Sequence, residues 1–151
     1  MTYNLFKFLH VASVIVWLGG VSTLTILNMR LARDSVDHAG QASIAREAAF
    51  VGRAVVGPAA GLTLIAGIVT AAVGSLNMGA LWISWGFAGI IISLALGGTL
   101  IRRTTVSLEN ALAGSSSAEV STLRSRLTTL NLINLLVLLS AVAAMVFKPT
   151  L

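Results

Sequence analysis

The chain contains no cysteine. Disulfides, iron–sulfur clusters, thiolate zinc sites and a lipoprotein anchor are therefore excluded. Charge is scarce too: Asp, Glu, Lys and Arg make up only 10% of 151 residues, against about 25% in ordinary soluble domains. A soluble fold of this size could not cover its surface with so few charges. Histidine is limited to His10 and His38, which caps any imidazole chemistry. None of the five acids (Asp34, Asp37, Glu47, Glu109, Glu119) falls within a long apolar run, which argues against a proton-coupled pump or secondary transporter. There is no GxSxG, P-loop or HExxH pattern, so the usual hydrolase, nucleotide and zinc-peptidase signatures are missing.

What the chain does have is apolar length. Hydrophobic residues make up 56% of it, and mean hydropathy is +0.93. Four stretches, about 4–29, 54–76, 80–101 and 127–147, each reach the roughly 20 residues that cross a bilayer. The expected fold is an all-α integral membrane four-helix bundle, one transmembrane domain over residues 1–151. The first span has a single Lys, a very long apolar stretch and no A-x-A site, so it reads as a retained helix rather than a cleaved signal.

Basic residues set the expected orientation. Arg30, Arg33, Arg46 and Arg53 lie between spans one and two, and Arg102, Arg103, Arg124 and Arg126 between spans three and four. The turn between spans two and three has none, and Lys7 and Lys148 sit near the two chain ends. The positive-inside rule places both termini outside the cytoplasm, with Trp82 and Trp85 at the outer interface. A bacterial cytoplasmic membrane is the expected location. The net charge of +5 then reads as contact with anionic lipid rather than with nucleic acid.

The inner segments carry helical patterns. Ile44, Ala48, Val51 and Val55 recur at helical spacing and lead into span two, which Pro58 should kink. Span three is expected to continue past Arg103 toward Ala111. After a turn at Gly114–Ser117, Ser116 and Glu119 have the form of a capping box. Both hairpins are thus expected to extend into the cytoplasm.

Two sets of small residues are candidates for helix association: the Gly57/Gly61 pair, and Gly89, Ser93 and Gly97 at four-residue spacing. They would pack the bundle internally or form a homo-oligomer. Asn131 and Asn134, with Thr128 and Arg124 on the same face, read first as interhelical hydrogen-bonding groups and second as a polar pocket.

His10 is the residue most open to chemistry. An ionisable group inside a span is costly, which makes it a functional candidate by default; the competing reading is a histidine hydrogen-bonded within the bundle. Tyr3, His10, Ser13, Trp17, Gly20 and Leu24 share one helical face, and the serine and glycine there would leave room for a flat ligand. Lys7, Lys148, Met78 and Met145 are expected at the same outer level as His10. One imidazole, two thioethers and two cations suit haem b, with His10 as axial ligand, Met145 opposite, Lys7 and Lys148 for the propionates and Trp17 beside it. They equally suit Cu(I) held by His10, Met78 and Met145. Against both, methionines commonly fill gaps and lysines commonly snorkel. His38 lies a bilayer thickness away, so it cannot share a metal with His10 within one chain; a His10 pair across a dimer stays open.

Leu9-His10 followed by Trp17-Leu18-Gly19-Gly20 resembles the "LHxxxxxxWLGG" opening of a family of bacterial integral membrane proteins of unknown function. The ending Met145-Val146-Phe147-Lys148-Pro149 resembles that family's "MVxKP" finish, and Arg33-Asp34 and Gly57-Pro58 fit its layout. That family is distantly similar to the copper-resistance D membrane domain and to membrane-bound protoporphyrinogen oxidase of the HemJ type. In the latter, a first-span histidine ligates haem, and only His10 carries over. The resemblance implies haem b at His10, with no implication of the oxidase activity. Three functions are thus expected: a haem-b redox protein whose redox partner is unspecified, a copper-handling protein, or a non-catalytic assembly subunit.

Overall fold

The computed structural model describes residues 1–31, 38–112 and 117–149. The turn at Gly114–Ser116, with Ser116 of the expected capping box, and the Arg33-Asp34 pair lie outside them. The chain runs as helix α1 (Thr2–Leu31), α2 (His38–Val51), α3 (Gly57–Val73), α4 (Leu81–Ala95), α5 (Arg102–Leu112) and α6 (Ser117–Phe147). Two short π-helical stretches, Gly52–Val56 and Leu96–Ile101, join α2 to α3 and α4 to α5. The result is four long rods. Each contains 29 to 32 residues of apolar helix, about 45 Å at 1.5 Å per residue, against a hydrocarbon core of about 30 Å. All four are long and apolar enough to cross a membrane, and the excess length forms the helical extensions expected beyond spans two and three.

The π-helical stretches are where the sequence expectation needed refining. Pro58 has no N–H to offer the carbonyl of Ala54 and would collide with it in a regular helix. The rod answers by widening, and the Gly57 N–H bonds the Gly52 carbonyl five residues back. The kink expected at Pro58 is thus a π-helical turn just before it. The second widening contains Gly97 and Gly98, with the Arg102 N–H reaching back to the Gly97 carbonyl.

The rods pair as two hairpins, α1 against α3 and α4 against α6, joined by α1–α6 packing. Both termini lie at one end, here the terminal end; the other is the arginine end. The central core is Trp17, Val21, Ala59, Ala60, Ile90 and Leu138. A second core of Leu108, Ala111, Val120 and Leu127 holds α5 to the start of α6. Close approach depends on small residues. A Cβ on Gly89 would lie 2.8 Å from Ala141 Cβ, and one on Gly20 would lie 2.8 Å from a Val56 methyl. Ser93 donates to Asn134 Oδ1 across the same α4–α6 seam at 2.6 Å. Gly89 and Ser93 are therefore engaged inside the chain. Gly57 and Gly61 are exposed, with no neighbouring helix against them.

Only 22% to 33% of each span's most apolar window is buried in the chain. The remainder includes exposed Phe8, Ile15, Ile65, Ile91 and Leu136, a girdle that suits lipid and would be untenable in water. Hydroxyls within the rods bond their own helix, as Thr25 to Val21 and Thr70 to Ala66 do, so few donors are left to face hydrocarbon.

Candidate functional site

At the terminal end the two hairpins diverge and enclose a cavity of about 350 Å³, within the size range of small-molecule and cofactor sites. All four rods line it. From α1 come Tyr3, Lys7 and His10, from α3 Gly67, from α4 Trp82 and Gly86, and from α6 Met145, with Lys148 just beyond. Four of the residues singled out in the sequence, His10, Met145, Lys7 and Lys148, thus share one chamber.

The chemistry of His10 is set by its backbone partner. Its Nδ1 lies 2.9 Å from the Thr63 carbonyl oxygen. A carbonyl only accepts, so Nδ1 must carry the proton. In the neutral ring that tautomer leaves the lone pair on Nε2, which has no hydrogen bond to any described residue. Metal-binding histidines are commonly held in this way, one ring nitrogen on a carbonyl and the other on the metal. Behind it, Ser13 Oγ donates to the His10 carbonyl at 2.9 Å, and the Thr63 hydroxyl lies 3.0 Å from Ser13 Oγ. Ser13 and Thr63 are buried, so they brace the α1–α3 seam on which the imidazole stands.

Room for the ring comes from α3 and α4. A Cβ on Gly67 would sit 3.0 Å from both His10 Cε1 and Nδ1, closer than almost any packed side chain allows. A Cβ on Gly86 would meet Met145 Cε. Of the residues expected to clear space, Gly20 instead packs against Val56 and Ser13 bonds back to its own helix. Thr63, Gly67 and Gly86 are the contributors that the sequence reading missed. Each lies on another helix, and only the pairing of the rods brings it to His10.

The lysines are held at the rim. Lys7 Nζ stands 5.9 Å from the centre of the Tyr3 ring, and Lys148 Nζ stands 5.5 Å from that of Trp82, both within cation–π range. Lys148 takes a left-handed backbone, φ 45°, as a residue ending a helix often does; that turn caps α6 before Pro149. Tyr3 reaches its place because Gly74 has no side chain, where a Cβ would lie 2.6 Å from the tyrosine ring.

Two expected participants stand apart. Met78 is exposed and lines no part of the chamber, so the structure does not bring it together with His10 and Met145. Trp17 does not line the chamber either. It is buried below, where a small gap shared with Met145 and Gly86 separates it from the chamber. Among the described residues no three His, Cys, Asp or Glu side chains come together. Comparison with family models, curated proteins and solved structures finds no match for the chain.

Proposed function

We propose that the terminal-end chamber binds haem b, which His10 would hold through Nε2, in a small multi-pass protein of the bacterial cytoplasmic membrane. The observation that carries this reading is the Nδ1–Thr63 carbonyl bond, because it occupies one ring nitrogen of a chamber-lining histidine and leaves Nε2 as the nitrogen open to a metal. The rest of the lining fits the same group. Two glycines clear space beside the imidazole and the thioether, the walls are apolar, and Lys7 and Lys148 offer cations to a pair of carboxylates. By the positive-inside rule the chamber opens toward the outer face.

Bound there, haem b would supply one-electron chemistry. The protein's own part is positional and electrostatic. The Thr63 carbonyl would hold the imidazole plane in place. Val14, Phe87, Ile90 and Val142 keep water from the ligand face and, with the ligand set, tune the potential. Met145 would offer its thioether to the same group. The test is an absorption spectrum of the detergent-purified full chain, oxidised and reduced, beside His10→Ala. A Soret band lost in the variant supports the reading. Copper at equimolar content without a Soret band would favour a Cu(I) site built from His10 and Met145 alone. Neither cofactor, even after both are supplied, would leave the assembly-subunit reading.

A further inference from the structure

A second cavity, of about 500 Å³, opens at the arginine end, and nothing in the proposed haem site uses it. Both π-helical stretches line it, and π-turns are frequent at functional sites. Asn28, Asn131 and Asn134 face it, and all three are more than nine-tenths buried. Their amides are poorly satisfied. Asn28 makes no side-chain hydrogen bond among the described residues. Asn131 donates only to its own helix at Leu127, and Asn134 only accepts from Ser93. Asn28 with no partner, and Asn131 and Asn134 with one bond each, leave amide donors and acceptors facing one cavity, where a ligand can supply the rest.

The rim indicates the ligand's charge. Arg53 and Arg102 line it from different rods, and Glu109 lines the same cavity. Arg53 Nε bonds the Ala49 carbonyl at 3.3 Å. Neither guanidinium is ion-paired among the described residues. Two arginines and one glutamate leave a single net positive charge, which matches one phosphodiester. Guanidinium forks match phosphate oxygens bidentately. Below the rim, Val21, Leu24, Val56 and Leu94 give apolar walls suited to an acyl chain.

We propose that this cavity binds one anionic phospholipid: the phosphate between Arg53 and Arg102, the ester and glycerol oxygens on the three asparagines, and an acyl chain along the apolar wall. Basic pockets between spans are where such headgroups are recognised. The inference is independent of haem binding.

The test is native mass spectrometry of the full chain in neutral detergent with added phosphatidylglycerol or phosphatidylcholine. Wild type should retain phosphatidylglycerol preferentially. Each of Arg53→Gln and Arg102→Gln should lower that retention about 5-fold, and Glu109→Gln should raise it. Gly97→Leu gives an independent check, because open space surrounds a Cβ at Gly97 and the leucine would intrude on the apolar part of the cavity with both arginines intact. It should abolish retention while far-ultraviolet circular dichroism stays unchanged. Equal retention in wild type and the double arginine variant would overturn the proposal, as would binding that survives Gly97→Leu. Displacement by excess inorganic phosphate would also overturn it, by identifying a soluble anion rather than a lipid.

Discussion

His10 can act as a ligand only while Nδ1 keeps its proton on the Thr63 carbonyl and Gly67 stays clear of the ring. Gly67→Ala tests that arrangement without touching a ligand atom. The added methyl must push the imidazole by a few tenths of an ångström, and overpacking of this kind costs about 1–3 kcal/mol. The expected outcome is a lower Tm together with weakened haem retention, read by thermal unfolding and by the Soret-to-protein absorbance ratio. Met145 is tested in the opposite way. Met145→Leu nearly conserves volume, so stability should change by less than about 1.5 kcal/mol. If the thioether is an axial ligand, the reduced spectrum and the midpoint potential will shift; if it only fills space against Gly86, neither will. Much of this scale was legible in the sequence, since an imidazole, a thioether and two lysines at one helical level announce themselves by counting 1.5 Å per residue. The Thr63 carbonyl was not legible, because a backbone acceptor carries no residue signature.

Among the elements, the α4–α6 seam is the place where polar and small residues hold helices together. Gly89 permits the approach to Ala141, and Ser93 bonds Asn134 within it. Interhelical hydrogen bonds in membranes average about 0.6 kcal/mol and reach about 1.7. Asn134→Ala should therefore lower the unfolding free energy by an amount in that range, measured in mixed micelles with a denaturing detergent. Gly89→Leu should be far worse, because its side chain has nowhere to go but into Ala141. The four rods followed directly from apolar length, and the helical continuation past Arg103 followed from pattern. The two π-helical stretches did not. Pro58 announces a disturbance, but whether a rod kinks or widens depends on the neighbours pressing on it. The second stretch, at Gly97–Gly98, has no proline to announce it.

As a whole molecule the protein is two hairpins joined along α1 and α6, with one chamber at the terminal end and another cavity at the arginine end. Across a bilayer these ends would face opposite sides, and the positive-inside rule would put the arginine end in the cytoplasm. The chain has no cysteine, so single cysteines can report this directly. A cysteine at Asn77, in the α3–α4 turn, should react with a membrane-impermeant maleimide in intact cells. One at Glu109, on α5, should react only after permeabilisation. The reverse pattern would invert the molecule and put the His10 chamber on the cytoplasmic side. The grouping of His10 with Gly67 and Gly86 belongs to this scale, and it is why the sequence alone assigned the space-making role to Gly20 and Ser13. Residues on one helix can be compared by periodicity, but residues on separate helices meet only once the rods have paired.

Whether the imidazole of His10, bonded through Nδ1–H to the Thr63 carbonyl, holds a haem is decided by absorption spectroscopy. The purified full chain, oxidised and dithionite-reduced, with haem supplied, is expected to show a Soret band and sharp reduced bands. In His10→Ala these should vanish while the helical circular dichroism stays intact. A flat spectrum above the protein absorbance, or a Soret band indifferent to His10→Ala, would contradict the account.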